Sequence, residues 1–395
     1  MQRGLVDHHA MGGKPIPASS LLDYKRTEPG ELVMNRMRAA TGLFAATKTI
    51  GLVSPDYAVL RPLRPVDLQY FVHLFRTPLM MSAFRLESRG LGTGESGFLR
   101  LYTERFGMLA APFPPLDEQA AIVRFVDHAD RQIGRYIQAK QSLIKLLAEE
   151  REIVTHDALR LANTRSLRLE AAVDVIQRPV IRCDEEFYTP IGLFNRGRGI
   201  FHKKPVKGSE LGDSTFYWIE EGDLVLSGQF AWEGAIALAG REDSGCVASH
   251  RYPVLRGKPN EVESAYLLSF FKTGTGHLLL DYHSRGGAGR NRPLNPRSLL
   301  KEKIPIPALD VQRRIAGMVD LEARLSRRVT ELVGIIREYR VRLVADVVTG
   351  KLDVREAAKN LPEVSVEPAA LDEMEELSQD ETEADDLELE ATDEA

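Results

Sequence analysis

The feature that most constrains this chain is an internal echo. The stretch APFPPLDEQAAIVRFVD at Ala111–Asp127 returns as IPIPALDVQRRIAGMVD at Ile304–Asp320, in the shared frame P-x-L-D-x-Q-x-x-I-x-x-x-V-D. The echo extends upstream: YKRTEPGELV answers FYWIEEGDLV, GLVSPDYAVLRP answers GCVASHRYPVLRG, DLQYFVHLFRTP answers ESAYLLSFFKTG, and SRG at Ser88 answers SRG at Ser284. The offset stays between 192 and 196 residues. A period this long excludes a solenoid of small repeats and implies two copies of one whole unit, each a mixed domain followed by a helix. The copies are unequal. Some 53 residues from Leu169 precede GDLV in the second, whereas 29 residues precede GELV in the first, so the first copy is expected to lack its opening element or elements, which a mistaken start site, a truncated gene or genuine shortening would all produce.

After each P-x-L-D-x-Q comes a long helical pattern, with Pro115 and Pro307 setting up the chain and Asp117 or Asp310 placed to cap it. One apolar seam reads Ile122, Val126, Ala129, Ile133, Tyr136 and Ile137, Leu143, Leu147, Val154. The other reads Ile315, Met318, Leu325, Val329, Leu332, Ile336, Tyr339, Leu343, Val347. Spacings of three and four sustained over several heptads predict helices of roughly 40 residues, or about 60 Å. A single helix with one apolar stripe needs a partner, and the nearest is the other copy. Such a pair serves as a spacer of fixed length or as an ordinary helical hairpin. Before each helix, DLVLSGQFAWEGAIALAG and CVASHRYPVLRG have strand composition with Gly punctuation, and VESAYLLSFFKTGTGHLLLDY is helical. The fold class is therefore α+β.

Charge sharpens the reading. Leu361–Ala395 holds 15 Asp and Glu and no Lys or Arg, which leaves 52 basic against 42 acidic residues in the body, a net charge of +10. A basic body suits a polyanion. The aromatic-free acidic tail is expected to be disordered, either as a solubilising appendage or as a DNA mimic competing for the basic face. No stretch has the length and apolarity of a membrane helix, and MQRGLVDHHAMGGKPIP has no apolar export core, so the cytoplasm is the expected location. Cys183 and Cys246 fit no zinc or redox spacing.

Catalytic motifs do not emerge. SRGGAGRNRPLN at Ser284–Asn295 is glycine-rich and cationic, yet it is no G-x-x-x-x-G-K-[ST] loop, and no G-x-G-x-x-G follows a strand in a βαβ setting. His8–His9 lacks metal spacing, CDEE at Cys183–Glu186 has no matching acidic and lysine set, and there is no Asn- or Asp-Pro-Pro-aromatic loop. Binding remains. FNRGRGIFHKKPVKG clusters cations with aromatics, and Arg and Asn suit bidentate contacts with guanine and adenine edges while Lys reads phosphates. Candidate DNA contacts in the second copy are Arg196, Arg198, His202, Lys203, Lys204, Gln229, Arg285, Arg290, Asn291 and Arg292; in the first they are Asn35, Arg36, Arg38 and Arg89. The first-copy partner of the glycine loop, SRGLGTGESGFLRLY, keeps the glycines but puts Glu95 and Ser96 where the second has arginines and Asn291. A nucleotide cradle has no reason to differ so between duplicates, whereas a loop reading different bases does.

The duplicated PPLDEQAAIVRFVD and PALDVQRRIAGMVD, the helix end EYRVRLVADVVTGKLDVREAA, and RGIFHKKPVKGSELG, FAWEGAIALA and GGAGRNRPLN resemble the DNA-specificity subunits of type I restriction–modification systems, over roughly residues 20–358. The resemblance implies a non-catalytic subunit with two target-recognition domains separated by two long helices in an antiparallel coiled coil. The domains would be residues 1–114 and 165–306, the spacer helices 115–164 and 307–358, and the acidic tail 359–395. Each domain is expected to read one half of a bipartite double-stranded DNA site. Two modification subunits, which use S-adenosylmethionine, and restriction subunits, which use ATP and Mg²⁺, would dock on it, and the chain itself would bind no cofactor, metal or membrane. The shortened first copy keeps a second reading open, an assembly subunit with decayed or half-site recognition.

Overall fold

A computed structural model describes residues 4–8, 16–91, 98–286 and 292–362, so Arg290, Asn291, Glu95, Ser96 and the acidic tail beyond 362 lie outside the described residues. The chain divides into two compact units, Met1–Ala139 with Thr330–Ala395, and Lys140–Val329. The first contains β1 (Lys25–Thr27), β2 (Leu32–Asn35), β3 (Phe44–Ala46), β4 (Gly51–Val53), β5 (Tyr57–Leu60), α1 (Leu68–Phe75), α2 (Pro78–Glu87), the hairpin β6 (Arg89–Leu91) and β7 (Phe98–Arg100), and α3 (Thr103–Phe106). The long α4 (Leu116–Ala158) follows. Next come β8 (Arg165–Arg168), α5 (Leu169–Ala172), β9 (Val173–Val175), β10 (Phe187–Tyr188), β11 (Ile191–Phe194), β12 (Gly199–His202), β13 (Val206–Lys207), β14 (Phe216–Trp218), β15 (Leu224–Leu226), β16 (Ile236–Leu238), β17 (Val247–Ser249), β18 (Val254–Gly257), α6 (Ser264–Lys272), α7 (Gly274–Tyr282), α8 (Pro296–Leu299) and β19 (Lys303–Ile306). The chain then forms the second long helix α9 (Leu309–Val348) and the short α10 (Arg355–Lys359).

The sequence echo is reproduced bond by bond. Sheet β3-β2-β5 answers β16-β15-β18, and the pair β1-β4 answers β14-β17. Asn35 Oδ1 accepts from the amides of Met37 and Arg38; 192 residues later Ser227 Oγ accepts from those of Gln229 and Phe230. Each turn then closes through a left-handed glycine, Gly42 at φ 74° and Gly234 at φ 75°, a conformation that side chains with a Cβ resist. Thr77 and Thr273 break each helical stretch in two by capping the next helix, accepting from Met80 and Gly276. Several elements of the second unit have no partner in the echo, β8 and β10 to β13 among them, and β9 extends the second sheet to four strands, β16-β15-β18-β9, while the described first sheet stops at three.

Each core gathers behind these sheets. In the first unit Phe44, Phe75, Phe84 and Phe106 stack with ring centroids 4.8–5.9 Å apart. Ile122, Val126, Val347 and Val348 of the long helices join the same cluster. Fully burying a side chain of this size contributes roughly 1.5–3 kcal/mol. Tyr70 is fully buried with its hydroxyl donating to Val348 O at 3.0 Å, and burial pushes its pKa up to about 12. In the second unit Ala158 and Ile315 pack among Tyr266, Phe270 and Leu280.

The long helices span 43 and 40 residues. They begin at Leu116 and Leu309, so Asp117 and Asp310 sit inside the first turn rather than at the cap. The Gln119 amide bonds Pro115 O, which makes Pro115 the boundary, and Asp117 acts instead on the positive end of the helix dipole. The repeated glutamine is the more informative residue. Gln119, fully buried, accepts from the Asp67 amide and donates to Pro114 O; Gln312, also fully buried, accepts from the Glu263 amide and donates to Pro307 O. Each glutamine ties its helix to its own domain.

Within each unit the two helices run antiparallel. In the first, Arg340 makes a bidentate pair with Asp130 at 2.7 Å for both bonds, and Arg124 reaches Leu361 O. In the second, Arg151 bonds Glu322 at 2.7 Å. The seam is thus partly polar, with Asp130, Arg151, Glu322 and Arg340 at inward positions. Tyr136, Leu143 and Tyr339, expected in the seam, are exposed, because Ile137, Ile144 and Arg340 take the inward register. Among the described residues no helix is long and apolar enough to cross a membrane.

Candidate nucleic-acid interface

In the second unit three loops meet at one end of the sheet. The tip of the β11–β12 hairpin docks on the turn after β15: Gly197 N donates to Gly234 O at 2.7 Å, and Asn195 Nδ2 donates to Glu233. The same turn holds the glycine loop, through Leu294 N to Gly228 O at 2.8 Å. Gly228 is forced by close approach, since its amide bonds Arg251 O at 2.7 Å and a Cβ would lie 2.3 Å from that oxygen. Arg196, Arg198, Gln229, Arg285 and Arg292 are all carried by these loops. Arg196 sits at φ 59°, a left-handed position that turns the hairpin tip and leaves its side chain exposed.

Aromatic rings fix three of the guanidiniums. Arg198 lies 5.2 Å from the Phe194 centroid, Arg285 lies 4.3 Å from Tyr282, and Arg292 lies 4.8 Å from Trp232. Arg198 and Arg285 are exposed, and their guanidiniums donate to the backbone carbonyls Asn195 O and Tyr282 O. Arg292 is engaged internally, with a 2.6 Å ion pair to Asp281 and a bond to Ser284 O, so it organises the loop base. Beside it, Trp232 Nε1 and Ser284 Oγ are buried without a hydrogen-bond partner among the described residues.

His202, Lys203 and Lys204 stand at the other end of the hairpin, where His202 Nε2 meets Asp243 at 2.8 Å. Lys204 is exposed. The sequence cluster FNRGRGIFHKK is therefore two clusters, separated by the length of β12.

In the first unit the corresponding end is built differently. Leu101 N bonds Arg36 O at 2.9 Å, the counterpart of the Leu294–Gly228 bond. Where the second unit has Gly228, however, Arg36 sends its guanidinium to Asp56 O and Pro55 O. Asn35 holds the turn, so its Oδ1 is committed to the backbone, and Arg38 is exposed beside it. Arg89 is exposed and faces Arg100 across the β6–β7 ladder. Two cations missed in the sequence complete the group. Arg100 pairs with Asp56 at 3.0 Å, and Lys25 Nζ donates to Pro55 O at 2.9 Å and to Tyr57 O. Burial, then Arg36, lowers the Lys25 pKa, with Arg100 adding to the effect. Lys25 and Arg100 are 75 positions apart, and nothing in the local sequence around either joins them. Their signal was the duplicated frame, which places both at the sheet end that carries the glycine loop in the other copy.

The arrangement offers exposed guanidiniums at the same end of two like-built units, with different loop chemistry in each. Guanidinium forks set beside aromatic rings and backbone carbonyls suit bidentate acceptors such as guanine edges and phosphates. Among the described residues no cluster of three His, Cys, Asp or Glu side chains is placed to hold a metal ion.

No family model matches this sequence, and no curated protein matches it. Solved structures do. A chain from a structure described as the structural basis of complex assembly and conformational transition of the type I R-M system matches with a TM-score of 0.51 and 18% identity, covering 83% of this chain and 84% of that one. The HsdS subunit from Thermoanaerobacter tengcongensis matches with a TM-score of 0.41 and 15% identity over 85% and 81% of the two chains. The type I restriction-modification S subunit from M. genitalium gives 0.43 and 13% over 86% and 84%. Two α+β units, each holding part of both long helices, are a fold that this chain shares with a component of the type I restriction–modification system.

Proposed function

We propose that this chain is the DNA-specificity subunit of a type I restriction–modification complex, with each unit reading one half of a bipartite double-stranded site and the helix pair setting the unread gap. The observation that carries the reading is the contrast between repeated frame and divergent loops within one molecule. The turns at Asn35 and Ser227, the glycines at 42 and 234 and the glutamines at 119 and 312 repeat bond for bond. At the same sheet end, Arg36 replaces Gly228 and Asp56 stands where the other copy has Arg251. Two readers of different half-sites require one scaffold with two sets of contacts. The +10 body supplies the sequence-independent attraction to phosphates.

On this reading the chain is not the enzyme. Two modification subunits carrying S-adenosylmethionine and restriction subunits using ATP and Mg²⁺ supply the chemistry. The chain supplies register, and exposed Arg196, Arg198 and Arg285 are its base or phosphate contacts, with Arg292 beneath them. The test is footprinting of the chain co-purified with its modification subunits. Two protected half-sites flanking an unprotected gap support the proposal. Co-purification without selective protection would instead establish an assembly subunit whose recognition has decayed.

A further inference from the structure

Three cations that lie far apart in the sequence of the first unit gather on one loop. Lys25 stands on β1, Arg36 on the turn after β2 and Arg100 on β7. All three reach the segment Pro55–Tyr57, between β4 and β5. Lys25 Nζ and Arg36 Nη2 donate to the same acceptor, Pro55 O, at 2.9 and 2.6 Å. Arg36 Nε donates to Asp56 O at 2.9 Å, Lys25 Nζ also to Tyr57 O, and Arg100 Nη2 meets Asp56 Oδ1 at 3.0 Å. The Arg100 guanidinium lies 5.5 Å from the centroid of Tyr102.

Charge does not balance on this loop. Among the described residues Asp56 is the one carboxylate that pairs with the three cations, so two positive charges are left over. Burial lowers the Lys25 pKa most, Arg36 and Arg100 lower it further, and only Asp56 raises it. Crowding like charges is costly, and holding backbone carbonyls does not require it, because neutral donors or water satisfy them. Donors are left over as well. Arg36 Nη1 and Arg100 Nη1 have no partner among the described residues, and Arg100 Nε is buried without one. A buried N–H in that state calls for an acceptor.

The second copy does not repeat the cluster. Leu101 N to Arg36 O and Leu294 N to Gly228 O fix the register between the copies. Tyr217 then stands for Lys25, Gly228 for Arg36 and Pro293 for Arg100, with Arg251 in place of Asp56. A framework role would be common to both copies, whereas a ligand-binding role belongs to the copy that meets the ligand.

We propose that Lys25, Arg36 and Arg100 form a binding site for a phosphate oxyanion. Two guanidinium forks supply paired donors and the ammonium a point charge, a combination that matches a singly or doubly charged tetrahedral oxyanion. The carbonyls of Pro55–Tyr57 hold the head groups in place before the ligand arrives, which limits the side-chain entropy lost on binding. At the sheet end that carries the glycine loop in the other copy, the site takes one backbone phosphate of the half-site that this unit reads. That last identification rests on the DNA-reading proposal, and the oxyanion site itself does not.

The test uses the intact chain with Arg100→Gln, Lys25→Gln and Asp56→Asn. Duplex DNA is titrated at several salt concentrations, and thermal unfolding is followed in sodium phosphate and in sodium chloride of equal ionic strength. Arg100→Gln and Lys25→Gln should each weaken DNA binding about fivefold to tenfold at low salt and lower the salt slope by up to about one unit, alike for every duplex sequence, as loss of a phosphate contact requires. Asp56→Asn, at a largely exposed position, should tighten binding, because it removes the competing carboxylate. Phosphate should raise the melting temperature of the native chain more than that of Arg100→Gln. A native chain that binds no DNA yet shows this difference keeps the site, assigns its ligand to free phosphate and sinks only the DNA-reading proposal. Weaker DNA binding by Asp56→Asn overturns the site, since a merely structural cluster loses its clamp there. A phosphate effect shared equally by the native chain and Arg100→Gln also overturns it, because general salt exclusion then accounts for the rise.

Discussion

Glu322→Ala is the perturbation with the clearest arithmetic. The Arg151 side chain is 5% exposed and shares one bond with Glu322 at 2.7 Å and one with Ser269 Oγ at 2.8 Å. Lys272 Nζ lies 4.0 Å from the same carboxylate, and burial, with Arg151 next, lowers its pKa. Removing Glu322 therefore leaves one cation buried without its counter-ion and a second cation nearby without its attraction. Breaking a buried pair from one side costs about 3–5 kcal/mol, and the retained Ser269 bond places this case near 3 kcal/mol. Replacing both partners, Arg151→Met with Glu322→Leu, should return stability to within about 1 kcal/mol of the native chain, since the charge is removed with its desolvation cost. The assay is urea unfolding followed by tryptophan fluorescence. Both tryptophans, Trp218 and Trp232, lie in the second unit, so the signal reports that unit alone. A loss below about 1 kcal/mol for the single variant, or a double variant no better than the single, would refute the reasoning.

Other outcomes follow from the same geometry. Gln312→Leu deletes bonds to the Glu263 amide, Pro307 O and Glu261 O at a fully buried position, and should cost about 2–3 kcal/mol in the same fluorescence assay. The backbone bond from Glu28 and the Arg61 guanidinium hold Glu31 below its ordinary value of 4.5. Its stabilisation is complete above that value and lost as pH falls through the lowered one, so Glu31→Gln should melt below the native chain at neutral pH and converge with it as the pH falls through that lowered value. Arg198→Ala and Arg285→Ala should each weaken DNA binding and flatten its salt dependence, by up to about one unit of slope for each phosphate left without its cation, read from titrations at several salt concentrations. A heptad added to both long helices should lengthen the gap between protected half-sites, and an unchanged gap would show that the helices do not set it.

Much of this fold was legible because the chain carries its own comparison. The P-x-L-D-x-Q frame located both helices, and the structure shows why it recurs: proline ends the preceding strand or loop, and the glutamine bridges helix and domain. Apolar counting failed where the seam is ionic. It selected Leu143, Tyr136 and Tyr339, which are exposed, and passed over Asp130, Arg151, Glu322 and Arg340, which face inward as pairs. A charged seam residue reads as surface until its partner some 170–210 positions away is known. Two of the candidate contacts are engaged within the chain. Asn35 was chosen for its side chain, yet its oxygen shapes the turn as Ser227 does, and Arg292 is tied to Asp281. Lys25 and Arg100 escaped notice because topology, not sequence, brings them to Asp56.

The central claim is that this chain chooses the DNA sequence on which partner subunits act. Its most direct measurement is genome-wide adenine methylation in the host with and without this gene. One methylated motif made of two short specified parts, separated by a fixed unspecified gap, should disappear with the gene and return when it is restored. Retention of every two-part methylated motif in the deletion strain would contradict the claim.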